Sequence, residues 1–268
     1  MKKKFTLGVI GGGFMATSII NGLIKSKILS VEDVCVSDLN SSTIDKFQGM
    51  GICSLNDNLF VADNSEYLLF AIKPQNLNEV LESIKTTDCK KFISIMAGVK
   101  KEKIKKVISN SLVARCMPNT PCSIGYGSVG LDLSDYTCDN DIEFITSIFN
   151  SFSKFVLVEE DKLNAVTGVC GSSPAYFYLF VKGIIQAGID NGLTEEQARM
   201  LAVNSMIGAG KMILANEDKT IDMLIDAVCS KGGTTIEAIK IYNDNKLTEI
   251  SKKAVDACVK RSIELENL

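Results

Sequence analysis

The 268-residue chain contains no histidine. That removes the commonest general acid or base near neutral pH and the commonest nitrogen ligand for a metal ion. Proton transfer here must use another side chain or water. Paired cysteines are missing too. The nine cysteines (Cys35, Cys53, Cys89, Cys116, Cys122, Cys138, Cys170, Cys229 and Cys258) are scattered, odd in number and never spaced C-x-x-C. This argues against a disulfide framework or structural zinc and for a reducing cytoplasm; no metal is expected. With a net charge of −3, the chain has no basic block of the kind a nucleic-acid surface needs. Lys100 to Lys106 is basic, but its isoleucine and valine spacing reads as the solvated face of a helix. The longest apolar stretch, Tyr176 to Ile189, carries Lys182 and Gln186 and is too short to span a bilayer. Met1-Lys2-Lys3-Lys4 and the apolar run behind it imitate a secretory leader, but Gly11-Gly12-Gly13 interrupts the run and no small-x-small cleavage site follows.

What the chain does have is 46% hydrophobic residues, enough for one large domain or two moderate ones. Its first half alternates two patterns. Short apolar runs (Phe5–Ile10, Val34–Ser37, Gly51–Leu55, Tyr67–Ile72, Phe92–Met96, Leu112–Met117) read as strands. Between them, Phe14–Lys25, Thr43–Gln48, Leu77–Ile84 and Lys101–Ile108 read as helices. That alternation predicts a parallel sheet with helices on both faces. Val129–Leu133, a helix over Asp139–Asn150 and Phe155–Val158 close this half. From Asp161 onward only helical patterns remain: Asp161–Asp190 with a break near Gly171–Pro174, then Thr194–Ala215, Ile221–Val228, Thr235–Tyr242 and Leu247–Glu266. Helices apolar on every side are normally buried on several sides, so this half is expected to pack against a partner subunit. The expected division is 1–159 and 160–268, without a flexible linker.

Two stretches carry chemistry. Gly11-Gly12-Gly13-Phe14-Met15-Ala16 follows the first strand and fits G-x-G-x-x-A. Gly11 would make the tight turn, Gly13 would admit a pyrophosphate and Ala16 would let helix and strand pack closely. Asp38 stands just past the second strand, where a carboxylate binds the ribose hydroxyls of NAD; Ser37, Ser41 and Ser42 could instead bond a 2′-phosphate, and no arginine lies nearby. NADH and NADPH therefore both remain open. The second stretch, Ser230-Lys231-Gly232-Gly233-Thr234-Thr235, runs into a helical pattern. Glycines, hydroxyls and a helix N-terminus together suit a small anion, a carboxylate or a phosphate; an ordinary helix start after a flexible turn accounts for the same letters.

With a dinucleotide fold, a helical second half and an anion cradle, the chain resembles pyrroline-5-carboxylate reductase over essentially its whole length. The matching stretches are the glycine turn ending in Met15-Ala16, Ala71-Ile72-Lys73-Pro74-Gln75, Ser94-Ile95-Met96-Ala97-Gly98-Val99, Arg115-Cys116-Met117-Pro118-Asn119-Thr120-Pro121, Ala165-Val166-Thr167-Gly168 leading to Gly171-Ser172-Ser173-Pro174-Ala175-Tyr176, and the cradle. The resemblance implies a Rossmann-type N-terminal domain, then an all-α domain for substrate binding and dimerisation. It implies reduction of Δ1-pyrroline-5-carboxylate to L-proline with NADPH or NADH. The substrate carboxylate would lie on Ser230, Gly232, Gly233, Thr234 and Thr235, and Thr167 would act near the ring nitrogen as donor or relay. Read without the resemblance, Thr167 is a helix-interior hydroxyl bonding the carbonyl four residues back. The cofactor would meet Gly11, Gly13, Phe14, Met15, Ser37, Asp38, Asn58, Ala71, Lys73, Pro74, Ala97, Gly98, Met117, Pro118 and Asn119. Dimers would interlock and gather into a larger ring, with no nucleic-acid or membrane partner.

Three positions depart from the family: Lys231 where proline is usual, Phe14 where asparagine is usual and Ser173 where glycine is usual. They motivate keeping a non-catalytic nucleotide-binding regulator as an alternative. A second alternative is another oxidoreductase on the same scaffold, acting on an imine or a β-hydroxyacid. A β-hydroxyacid dehydrogenase would use a lysine as its acid, and Lys182 lies too far beyond Gly171 to match that pattern.

Overall fold

The computed structural model describes residues 3–266. The chain forms β1 (Phe5–Ile10), α1 (Phe14–Lys25), β2 (Val34–Ser37), α2 (Ser41–Gly49), β3 (Cys53–Leu55), α3 (Asn58–Asn64), β4 (Ser65–Phe70), α4 (Leu77–Ser83), β5 (Lys91–Ser94), α5 (Lys101–Val107), β6 (Leu112–Pro118), β7 (Gly127–Asp132), α6 (Asp139–Asn150), β8 (Ser153–Leu157) and α7 (Leu163–Val166). A π-helical turn, Thr167–Gly171, then leads into α8 (Ser173–Asp190), followed by α9 (Glu195–Ala215), α10 (Ile221–Val228), α11 (Thr234–Asp244) and α12 (Leu247–Glu266). The chain divides into two compact units, 1–174 with 258–268, and 175–257.

The first unit is built on one eight-stranded sheet in the order β3-β2-β1-β4-β5-β6-β7-β8. The six strands from β3 to β6 in that order pair in parallel. Because helices cover both faces, these strands are apolar on both, and alternate residues feed two separate cores. In β4, Tyr67 and Leu69 join α1 and α6 through Ile19, Ile20, Leu23, Ile145 and Phe149. Leu68 and Phe70 turn the other way, to Val61, Leu81, Phe92 and Ile104. Each fully buried Leu or Phe of this kind contributes about 1.5–3 kcal/mol.

Two features differ from the sequence reading. β7 runs antiparallel to β6, with Arg115 opposite Asp132. The connection Asn119–Tyr126 is shorter than the dozen or so residues a parallel crossover needs. The connection between β3 and β4 holds α3, capped by the Asp57 side chain accepting from the Phe60 N–H at 2.9 Å. Its sequence, Asn-Leu-Phe-Val-Ala-Asp-Asn, has few strong helix formers, so the cap and the buried Val61 and Ala62 hold it in place.

The compact first unit also extends past residue 159 and takes in the end of α12. Arg115, buried in β6, donates to Glu266 at 2.8 Å and to Glu160 at 3.3 Å. Asn164 donates to the other Glu266 oxygen at 2.9 Å and accepts from Ser262 at 2.6 Å. This buried latch is why residues 258–266 belong with the sheet.

The second unit is all helix. α9 starts with a capping box in which Thr194 and Gln197 satisfy each other's backbone N–H groups. α8 and α9 approach closely at Gly188, where a Cβ would lie 3.0 Å from that of Ala198. Phe180 and Tyr242 place their rings 5.9 Å apart. Only Val181, Ala198 and Ala202 of this unit are buried within a single chain. Phe177, Tyr178 and Leu179 stand exposed on three successive positions of α8. Among the described residues, no helix is long and apolar enough to cross a membrane.

Candidate functional site

The glycine turn sits between β1 and α1. Gly11 has φ +93° and donates to the Ser37 carbonyl at 2.8 Å; a Cβ there would lie 2.7 Å from the Ala71 carbonyl oxygen, so only glycine fits. Gly13 is the residue before α1, has no side-chain cap, and faces open space where a Cβ would meet nothing. Ala16 is buried against the sheet and Phe14 is 62% exposed. A cleft of about 400 Å³ opens here, lined by Gly12, Gly13, Phe14, Thr17, Ser42 and Lys46 among others. Uncapped N–H groups at a helix start, a glycine facing open space and a nearby lysine suit a pyrophosphate, so the residues fit a dinucleotide. Lys46 escaped the sequence reading, although it lies four residues after Ser42 on α2 and so shares its face. In the structure its Nζ is 3.0 Å from Thr17 Oγ1.

At the carboxyl end of β2, Asp38 accepts from the Gly12 N–H at 2.7 Å through one oxygen and from the Asn40 N–H at 2.8 Å through the other. Ser37 is buried and donates to Asn58 Oδ1 at 2.7 Å, and Asn58 donates to Ser83 at 3.1 Å. Ala71 follows β4 and lies against Gly11. Lys73 and Pro74 are exposed, Lys73 standing just before a short 3₁₀ turn. Ala97 is half-buried beyond β5, whereas Gly98 is buried close to Leu265 of α12 and offers a ligand little surface.

A second group gathers where β6 meets the π-helical turn. Met117 approaches Gly171, whose Cβ, if present, would be 2.9 Å from the methionine methyl and 3.9 Å from Thr167 Cγ2. Pro118 and Asn119 are buried. The Asn119 amide is occupied at both ends, accepting from the Ser128 N–H at 3.0 Å and donating to the Cys170 carbonyl at 3.4 Å. Thr167 donates to the Leu163 carbonyl at 3.0 Å, the local bond its helical position offers. The turn closes with Ser172 N–H on the Thr167 carbonyl at 2.9 Å. Burial pushes the neighbouring Cys170 thiol up to about 11, so it is a neutral thiol near pH 7 and not a nucleophile.

The third group lies in the second unit. Gly232 has φ +74°, Gly233 donates to the Ser230 carbonyl at 3.0 Å, and α11 begins at Thr234 with no side-chain cap. Ser230, Gly232 and Thr234 are exposed; Gly233 and Thr235 are half-buried. Lys231 is exposed as well. The first-turn N–H groups of α11 are therefore available to an anion.

The chain is similar to known proteins along its length. A family model described as pyrroline-5-carboxylate reductase dimerisation matches residues 160–265, and one described as NADP oxidoreductase coenzyme F420-dependent matches residues 6–98. A pyrroline-5-carboxylate reductase of Haemophilus influenzae is 35% identical, covering 98% of this chain and 98% of its own. The structure of a pyrroline-5-carboxylate reductase from Coxiella burnetii superposes with a TM-score of 0.89 at 32% identity, over 98% of this chain and 99% of that one. The Plasmodium falciparum pyrroline carboxylate reductase with NADP bound gives 0.88 at 26% identity, over 99% of this chain and 100% of that one. A glycine turn beside an acid-capped strand, a helical dimerisation segment and this end-to-end likeness lead to one conclusion: the chain belongs to the pyrroline-5-carboxylate reductase family.

Proposed function

We propose that the chain reduces Δ1-pyrroline-5-carboxylate to L-proline, using NADH or NADPH. The observation that carries this reading is family membership over nearly the entire length, which includes both the glycine turn and the cradle. A nicotinamide cofactor supplies the hydride that the imine carbon receives. The chain's own part is to hold and orient. The Gly11–Ala16 turn and α1 N-terminus take the pyrophosphate; Asp38 takes the adenosine ribose. Ser230, Gly232, Gly233, Thr234 and Thr235 take the substrate carboxylate, with backbone N–H groups of α11 as the main donors.

Thr167 has a narrower task than proton donation. Its hydroxyl proton is directed to the Leu163 carbonyl, which leaves the oxygen lone pairs to accept a hydrogen bond. A group so arranged suits a protonated ring nitrogen, N–H toward Thr167 Oγ1. With no histidine in the chain, the substrate binds as the iminium already protonated by water, and the hydride neutralises it to the amine. This reading needs no strong acid from the protein.

The dimerisation segment supports self-association, and gathering of dimers into a ring is part of the proposal, tested by light scattering. The nine unbridged cysteines support a reducing cytoplasm. Loss of NAD(P)H absorbance on adding Δ1-pyrroline-5-carboxylate tests the activity; no turnover with either cofactor at saturating substrate overturns it.

A further inference from the structure

We infer that this chain favours NADH over NADPH because Asp38 occupies the place a 2′-phosphate would need. The inference rests on the dinucleotide assignment above and goes beyond it by choosing between the two cofactors. A carboxylate offers about four lone-pair sites. In Asp38, one oxygen accepts from Gly12 N–H and the other from Asn40 N–H, which leaves a second acceptor site on each. Two free acceptor sites on one rigid group match the two vicinal hydroxyls of an adenosine ribose. A phosphate ester at the 2′ position removes one donor and brings a dianion against the carboxylate. The two backbone bonds prevent Asp38 from swinging aside, because doing so would release the glycine turn as well.

The second, independent observation concerns the hydroxyls that could serve a phosphate. Ser37 is buried and its proton is given to Asn58 Oδ1. Ser42 gives its proton to Asn40 Oδ1 at 2.8 Å, and its backbone N–H goes to the same oxygen at 2.9 Å. Both are spent as donors, which leaves the exposed Ser41 at the first turn of α2. The first unit's own guanidiniums are committed elsewhere as well. The three arginines of the chain are Arg115, held by Glu160 and Glu266; Arg199, in the second unit; and Arg261, held by Glu264. Lys46 is the nearby cation. It lines the cleft with Gly12, Gly13 and Ser42 and bonds Thr17 on α1, which ties it to the glycine turn that both cofactors share.

Calorimetric titration of the full-length protein tests this without any turnover. NADH is expected to bind about tenfold or more tightly than NADPH, the size expected of one like-charge contact. Adenosine 2′,5′-bisphosphate should bind more weakly than adenosine 5′-monophosphate, isolating the phosphate itself. In D38S the NADH preference should collapse towards parity. D38N keeps an acceptor for the glycine turn while removing the charge, and should do the same with less effect on folding. K46M should weaken both cofactors by a similar factor. Equal or tighter binding of NADPH by the unaltered protein overturns the inference. So does an equal loss of both cofactors in D38N, which would make Asp38 a brace only, or a K46M loss confined to NADPH. A protein that binds NADH selectively yet never reduces pyrroline-5-carboxylate would leave the inference standing and remove the proposed activity.

Discussion

The two units of this chain reach stability by different routes. In the first, helices cover both faces of the parallel strands, and Phe47, Phe70, Phe92 and Phe149 are fully buried within one chain. In the second, three small or medium side chains are buried, while Leu179 and Leu214 are each 73% exposed. Apolar exposure on that scale marks a surface made to be covered, and residues 160–265 match a family model described as dimerisation. The first unit is thus a fold in its own right. The second is half of one, completed by association.

The sharpest way to break that comparison is to place a charge on each unit's exposed apolar surface. Leu179→Glu on α8 should abolish association in sedimentation experiments and lose the helical unit's thermal transition. Leu39→Glu, at a site 74% exposed in the first unit, should alter stability by no more than about 0.5 kcal/mol. In the unaltered protein the helical transition should rise with protein concentration, whereas the sheet transition should not.

Next in size is the latch. Glu266→Ala leaves buried Arg115 without its nearest partner and should destabilise the first unit by roughly 3–5 kcal/mol in denaturant titrations. Pairing Arg115→Met with Glu266→Leu should restore much of that loss, since it leaves no buried charge unpaired. A small loss for the single change would mean that residues 258–266 are not integral to the sheet unit.

Smaller effects separate the units chemically. Thr167→Val in the first should lower kcat/KM for the substrate by a hydrogen bond's worth of about 1–2 kcal/mol. Thr235→Val in the second should instead raise KM for the substrate and leave cofactor affinity unchanged. Equal loss of substrate and cofactor binding in Thr235→Val would remove the cradle assignment.

The smallest effect is a pH dependence confined to the first unit. Burial works to raise Asp135, but its bonds to Lys105 and the Val113 N–H, with the charge of Lys101, outweigh it and hold the carboxyl below its ordinary 3.8. A lowered folded-state value contributes stability that is present above the unfolded value and is lost as pH falls through the folded one. Melting of the sheet unit should therefore weaken below about pH 4, and Asp135→Asn should flatten that slope.

Much of this fold is legible in the letters because local pattern and tertiary role agree. β1, α1, β2, α6, α10 and α12 form over the residues their periodicity marks. The glycine turn is legible for the same reason: its conformation is set by residues next to one another. What escaped is set by distance. The Arg115–Glu266 pair joins residues 151 apart, and no local pattern announces it. The antiparallel β7 depends on how short a loop is, not on the strand's own composition. Asp38 stands out in the sequence as a candidate ribose ligand, but its brace on Gly12 shows only when the turn folds back over β2. The pattern around Gly171–Pro174 signals a break, but not that the preceding turn is π-helical or that Gly171 comes close to Met117.

The latch has a topological consequence. Since the compact first unit resumes at Cys258, the helical unit is an insertion within it, tethered by continuous helix at both ends, α8 on entry and α12 on return. A guest held at two points has fewer unfolded arrangements than one hanging from a single linker, so the host lowers the entropy the guest must lose when it meets its partner. Opening the latch would turn that closed loop into a free tail. Subunit exchange between dimers should then quicken even though no residue of the dimer surface had changed.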